Sequence, residues 1–548
     1  NVVVVQERGM SQNEVVSRNL LSQVAVNRRT FMGGVALGVA SIGVLGGQHS
    51  TVAQDDEELV FVYAALKEPG NIDPGVAVDG QAYRIINNVY ESLVDHVPGT
   101  FELEPVLAES YEVSEDGLTY TFHLRQGVTF TDGTPFDAEA AKFSFDRVIS
   151  LAQSPASYLT NVASVDAIDD ATLAITLTAP NGFFPQYVAQ IPIVSPTAVQ
   201  EHEVDGDQAT GWLASNAVGT GPYILERWDP AEQFVLVKNA DYWGGWGEGS
   251  FDRVIIRTVP EVATMRQLLE AGDVHFIDTV APSDIEALSG NESISVVFSP
   301  PVTVNHLTMN TAKGVTQDPL IRQALSAAFP YEKVKTLVYN DFAELATGPL
   351  GEGLPGHVEG EGITQDLELA KSLLAEAGYP DGGFSLTFAF PEDQTTQQIG
   401  VVFQEELRGL GIDLQLQMVP WTQLVELMSD PEQAAELSFL IMTPVTGDPV
   451  FVLGQNFLGA NAGGSWNWSY YQNPAVDEAL AVAGAATSEE EVAAALDEAV
   501  ALILADYPTI YATSPTQAVA MRSDVAGYVF IPTDYSYSID LHSMSFTS

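Results

Sequence analysis

The stretch LTYTFHLRQGVTFTDGTPFDAEAAKFSFDR, from Leu118 to Arg147, sets strand, turn and helix chemistry side by side. Its first eight residues alternate strictly, so Leu118, Tyr120, Phe122 and Leu124 share one face while Thr119, Thr121, His123 and Arg125 share the other. That pattern predicts a half-buried strand. Gln126-Gly127 turns the chain, Val128 to Phe130 is expected to return as a second short strand, and Asp132-Gly133 ends it with turn chemistry. Asp137 stands where a side-chain oxygen accepts a free amide of a first helical turn, which predicts a helix through Phe143 to about Ile149.

The same two signals alternate on both sides of this segment. Strands are expected at Thr172 to Thr178, Phe234 to Lys238, Asp252 to Val259 and Ser293 to Phe298, giving a mixed sheet with few helices. Beyond Pro319 helices lengthen. Asp366 opens one that stops at Gly378 with Pro380 beyond it, and Asn473-Pro474 opens another. Ser488 and Glu491 form a capping-box pattern ahead of Val492, Leu496, Val500 and Ile503 on one helical face. Strands at Ser385 to Phe390 and Asp413 to Val419 complete an α/β unit. At 548 residues the chain exceeds one hydrophobic core, so two or three packed units are expected.

Charge narrows the functional classes. Twenty-one Lys and Arg stand against 73 Asp and Glu, a formal net charge of -52. A nucleic-acid partner is excluded on this ground, because a phosphate backbone needs clustered Lys and Arg and no basic stripe is present. The excess acid is read as a solvated surface that keeps the protein soluble and monomeric, a reading compatible with a high-salt habitat. The absence of cysteine rules out disulfides, thiol catalysis and zinc-thiolate sites.

The first 54 residues read as an address. NRRTFM at Asn27 to Met32 precedes an uncharged Gly, Ala and Val run from Phe31 to Gly47, as in a twin-arginine export signal, and Thr51 to Ala53 offer small residues for cleavage before Gln54. The run is short for a spanning helix, so a soluble, exported, periplasmic or extracytoplasmic protein is expected. Removing residues 1 to 54 takes away four Arg and two Glu and leaves 17 basic against 71 acidic side chains.

Catalytic motifs fail on inspection. Gly351, Gly353 and Gly356 match a G-x-G-x-x-G spacing, but Pro355 lies inside it and no strand precedes it, so a surface loop is expected and no nucleotide cofactor. His202-Glu203 has no second histidine at helical spacing, and no metal site is expected. What stands out is aromatic and amide chemistry in GDPVFVLGQNF, Gly447 to Phe457, and GGSWNWSYYQNP, Gly463 to Pro474. Such residues suit a binding wall, with core filling as the alternative for each aromatic.

Taken in order, these segments resemble the extracytoplasmic solute-binding proteins of peptide-type ABC importers, the dipeptide and oligopeptide family (solute-binding protein family 5). The resemblance is carried by Leu118 to Arg147, by GTGPY at Gly219 to Tyr223 with NADYWGG at Asn239 to Gly245, and by DPLIRQALSAAF at Asp318 to Phe329. It continues through GPLGEGLPG at Gly348 to Gly356, LELAKSLLAEAGYPDG at Leu367 to Gly382 and NWSYYQNPAVDEAL at Asn467 to Leu480. It implies an α/β fold: the large two-lobed periplasmic-binding-protein fold of type II, cluster C, with an extra subdomain in the first lobe.

On this resemblance lobe I is expected at 55–305 with its subdomain at about 96–215, lobe II at 306–515, and a return to lobe I at 516–548. Hinge strands are expected near His306 to Asn310 and Ala512 to Ala520. The implied partners are a peptide or other small-molecule ligand and the permease subunits of an ABC importer, with no catalysis. Asp448, in the block where peptide-binding members hold the ligand's ammonium, is the implied ligand residue, with helix capping as its alternative role. Trp421, Trp466, Asn467 and, at the hinge strand, Asn310 are the further ligand-binding candidates. MTPVT at Met442 to Thr446 replaces the family's aromatic-rich run, and Pro330 stands where an aspartate is common. Oligosaccharides and metal chelates are alternative ligands, and an exported hydrolase or a sensory binding protein is the alternative of another class.

Overall fold

The computed structural model describes residues 58–547 apart from 78–79, 465, 487 and 534–537. The chain divides into Asn1–Asp56 and Glu57–Ser548, and the export-signal reading lies outside the described residues.

Within the second unit two sheets organise two lobes. The first has seven strands in the order Ile294–Phe298, Ala518–Arg522, Phe276–Ile277, Val60–Ala65, Arg253–Thr258, Gln233–Lys238 and Tyr223–Asp229. Val60–Ala65 runs parallel to both Arg253–Thr258 and Phe276–Ile277. Its near-continuous apolar sequence VFVYAA is buried at five of six positions, as a strand covered on both faces requires. The second sheet has six strands in the order Ala343–Leu345, Thr509–Pro515, Val304–Met309, Leu437–Met442, Ser385–Pro391 and Asp413–Val419.

The chain crosses between the sheets twice, at 299–303 and at 516–517. The first crossing falls just before the stretch expected for it, since His306 already pairs inside the second sheet. The two crossings are tied together: Ser299 N donates to Gln517 O at 2.8 Å and Gln517 N donates to Ser299 Oγ at 2.8 Å. The two connections are therefore held side by side.

The segment that decides the fold builds a smaller four-stranded sheet, in the order Ala108–Val113, Thr119–Leu124, Thr172–Leu177 and Val162–Asp169. Tyr120, Phe122 and Leu124 are buried, as the alternation requires, and pack with Phe145 and Val148 of the helix Ala138–Leu151. Asp137 caps that helix by accepting from Ala140 N at 2.9 Å. The core of this subdomain draws on residues from Leu93 to Ile193, whereas Val194, Val199 and Leu213 pack into the core of the seven-stranded sheet.

Val128 to Phe130 does not form the expected return strand. Phe130 N donates to Thr134 O at 2.8 Å, and a single bridge joins Thr129 to Pro135. Asp132 accepts from Thr134 N at 2.8 Å and from Ser195 Oγ at 2.5 Å, so the chain is drawn into a tight turn before a ladder can extend.

Two buried polar centres fix the subdomain and its surroundings. Arg147 reaches Asp73 with both terminal nitrogens, at 2.8 and 2.6 Å, with both side chains almost fully buried. Glu91 accepts from Thr220 Oγ1, Tyr242 Oη and Trp243 Nε1 at 2.7, 2.8 and 2.9 Å. The GTGPY and NADYWGG segments thus clamp one carboxylate whose pKa burial pushes up, and their role is architectural. Removing one member of a buried pair strands the other charge, so Arg147→Ala is expected to lower unfolding free energy by about 3–5 kcal/mol. Urea denaturation reads this loss, and adding Asp73→Ala should restore part of it.

Candidate functional site

In open α/β sheets, ligands sit beyond the carboxyl ends of parallel strands. Ser385–Pro391 runs parallel to both Asp413–Val419 and Leu437–Met442, so these three strands end on one edge of the second lobe. Leu437–Met442 leads into Asp448, and Asp413–Val419 leads through Pro420 into Trp421. Sheet topology therefore brings these two candidates to one edge.

Asp448 is 1% exposed and caps the helix Pro449–Phe457, its Oδ1 accepting from Val450 N at 2.7 Å. Capping and ligand chemistry were alternatives in the sequence, yet the other oxygen has a separate task. Oδ2 accepts from the hydroxyl of Tyr187, which belongs to the helix Phe184–Val188 of the first lobe's subdomain. Burial pushes the Asp448 carboxyl up to about 6, against the opposing pull of Tyr187 and of the Val450 and Phe451 amides. Burial also pushes the Tyr187 phenol up, with the charge of Asp448 adding to it, so the tyrosine acts as donor.

Aromatic rings close around this bond. Tyr187 lies 6.0 Å from Tyr158 at an interplanar angle of 22°, and Phe451 reaches across from the second lobe to within 5.8 Å of Tyr158 and 6.0 Å of Tyr187. Beside them Gly447, at φ +68°, lies so close to the subdomain that a Cβ would stand 3.1 Å from Gln186 Oε1 and 3.3 Å from His96 Nε2. His96 and Gln186 are themselves bonded at 2.6 Å. A further backbone bond joins the lobes, from Gly182 N to Gly484 O at 3.1 Å.

Trp421, Trp466 and Trp468 form a triad with ring centroids 5.8 to 5.9 Å apart. Trp468 is buried, while Trp421 and Trp466 are 45% and 37% exposed. Trp466 N donates to Gln455 O near the far end of the helix that Asp448 caps. Seven residues at 1.5 Å each place Gln455, and the Trp466 backbone bonded to it, about 10 Å along the helix from Asp448.

The other two candidates are placed differently. Asn467 is fully buried and staples its own loop, donating to Leu458 O and Tyr471 O and accepting from Ser469 Oγ and Tyr471 N. Asn310 follows the far end of Val304–Met309, opposite the edge that carries Asp448, and bonds Pro431 O and Ala312 N. Tyr158 and Tyr187 escaped the sequence reading because SPASYL and FFPQYV look like ordinary core-forming segments. Among the described residues no three His, Asp or Glu side chains gather as a metal site would require.

A carboxylate buried where two lobes meet, with the lobes' sheets joined by paired crossings, fits the two-lobed periplasmic-binding fold of type II. The chain belongs to the bacterial extracellular solute-binding proteins, family 5, whose model matches residues 102–464. Among curated relatives, the probable D,D-dipeptide-binding periplasmic protein DdpA of Escherichia coli K12 is 27% identical over 491 residues, covering 88% of this chain and 93% of its own. The glutathione-binding protein GsiB of Salmonella typhi is 28% identical over 481 residues, covering 86% and 91%. The solved periplasmic binding protein DppA of Helicobacter pylori, in complex with the peptide STSA, matches with a TM-score of 0.76 at 27% identity, covering 89% of this chain and 98% of its own.

The raised carboxyl pKa fixes the sign of a pH effect. A carboxyl whose pKa rises from 3.8 to about 6 on burial destabilises the folded state progressively as pH climbs from about 4 to 6, and by a constant amount above that. Asp448→Asn keeps the capping oxygen, reverses the second bond so that its amide nitrogen donates to the Tyr187 hydroxyl oxygen, and removes the charge, so it is expected to be more stable than the parent at pH 7.5, by up to about 3 kcal/mol. The gap should close toward pH 4 in paired urea titrations.

Proposed function

We propose that this chain is an exported receptor that closes on a short peptide or similar small solute and delivers it to the membrane permease of an ABC importer. The observation that supports this most directly is Asp448, buried where the lobes meet and bonded from both sides. A ligand ammonium placed there forms a charge-assisted bond in a dry cleft, which offsets the desolvation of the carboxylate. Because a bridging ligand stabilises only the closed arrangement, binding shifts a hinge equilibrium, and the permease reads shape.

The proposed organisation is an export signal of twin-arginine type at 1–54, a first lobe from 55 to the crossing at 299–303, a second lobe to 515, and a return from 516. The subdomain is drawn more tightly than in the sequence reading, from about 93 to 193, following its core. Trp421 and Trp466 are proposed as an exposed wall of the ligand site, and Asn467 and Asn310 as framework. The proposed receptor makes and breaks no covalent bond, works as a monomer and acts in the periplasm or an equivalent extracytoplasmic space. Among the described residues no helix is long and apolar enough to cross a membrane.

Isothermal calorimetry of the purified protein against dipeptides such as Met-Leu tests this reading. Saturable binding is expected, with at least about 30-fold weakening in Asp448→Ala, in line with losing a buried charge partner. Chemically unchanged peptide should be recovered afterwards. Binding of an oligosaccharide that survives Asp448→Ala would overturn the peptide reading.

A further inference from the structure

The sequence contains a single Asn-Gly step, Asn181–Gly182, within TAPNGFF at Thr178 to Phe184. Asparagine followed by glycine is the pair most open to attack upon itself. With no Cβ on the second residue, its backbone nitrogen can swing onto the side-chain carbonyl carbon of the first.

The fold sets this step at the rim of the cleft, between the strand Thr172–Leu177 and the helix Phe184–Val188 that carries Tyr187. Phe183 N donates to Asn181 Oδ1 at 3.0 Å, which folds the carboxamide back along the following backbone and polarises the carbonyl to be attacked. Asn181 is half-buried and Gly182 exposed, so water reaches both.

The second lobe holds the attacking atom. Gly182 N donates to Gly484 O at 3.1 Å, and a Cβ on Gly182 would stand 2.7 Å from Ala486 O, so this backbone is pressed against the end of the helix Pro474–Ala485. A nitrogen whose hydrogen is committed to Gly484 is slow to lose it, and a peptide pinned there cannot swing toward Asn181 Cγ. Both restraints belong to the closed arrangement and vanish when the lobes part.

We propose that Asn181–Gly182 is a self-deamidation site that closure of the lobes shields. The Gly182 nitrogen bonds to Asn181 Cγ, the Cγ–Nδ2 bond breaks, and ammonia leaves with the proton that Gly182 gives up. Water from solvent then opens the cyclic imide at either carbonyl to aspartate or isoaspartate, with nothing oxidised or reduced. This rests on the reading that the lobes open and close.

The product weakens the closure that delayed it. An isoaspartate adds a backbone carbon ahead of Gly182 and moves its N–H off Gly484 O. The Asn181 side chain also hydrogen-bonds Tyr187, and a carboxylate in its place competes with Asp448 for the one proton that hydroxyl can donate.

Peptide mapping by mass spectrometry of the purified protein, aged in mildly alkaline buffer, tests this. Asn181 is expected to convert faster than any other asparagine. Phe451→Ala removes aromatic contacts to Tyr158 and Tyr187 across the cleft and should speed that conversion at least about threefold. Unchanged conversion at the other asparagines marks the variant as folded. Saturating Met-Leu should slow the parent at least about threefold. An Asn181 that ages no faster than other asparagines, in parent and variant alike, would overturn the site, and equal rates in parent and Phe451→Ala would overturn its shielding. A rate raised by Phe451→Ala but untouched by Met-Leu supports the shielded site and removes Met-Leu as a closing ligand.

Discussion

A carboxylate withdrawn from water needs partners, and Asp448 takes them from two bodies that can move apart. One oxygen belongs to the first turn of the helix it caps, so the second lobe alone holds it in place. The other is satisfied by Tyr187 of the first lobe, so full satisfaction requires closure. On the proposed reading a guest's ammonium adds the opposite charge. Closure without a cation buries an anion, which costs several kcal/mol; closure with one turns the same group into an attraction. On that reading, selectivity for charge and the change of shape arise from one side chain.

Much of the fold was legible because it rests on local rules. The alternation from Leu118 to Leu124 needs only a period of two, and Asp137, Asp366, Asn473 and Ser488 announce their helices by an oxygen placed before a first turn. Pro330 showed its effect too, leaving the helix Tyr331–Tyr339 without a side-chain cap. Val128 to Phe130 misled because its apolar pattern is that of a strand, while Asp132 imposes a turn through a bond to Ser195, 63 residues away.

The site was half legible for a related reason. Trp421 stands two residues after its strand and Asp448 six after its own, so sequence order and space agree. Tyr187 is 261 residues from the carboxylate it serves, and nothing in FFPQYV distinguishes a tyrosine that packs from one that reaches across a cleft. Asn310 and Asn467 show the converse. A buried amide must bond something, and in irregular backbone the nearest carbonyls are usually its own neighbours.

The contacts between the lobes described around Asp448 come from the subdomain: His96, Tyr158, Gly182, Gln186 and Tyr187. The pivot lies elsewhere, at the bonded pair Ser299 and Gln517, where Phe298 stacks on Phe342 at 5.6 Å. On the proposed closure the subdomain is a jaw set away from its hinge, and a small rotation at 299 and 517 would produce a larger displacement at Tyr187. Its rigidity then matters as much as its reach, because a jaw that flexed would blur the position of the Tyr187 hydroxyl. Arg147 and Asp73 supply that rigidity by locking the subdomain helix to the first lobe, which links a buried ion pair far from the cleft to the accuracy of the closing bond.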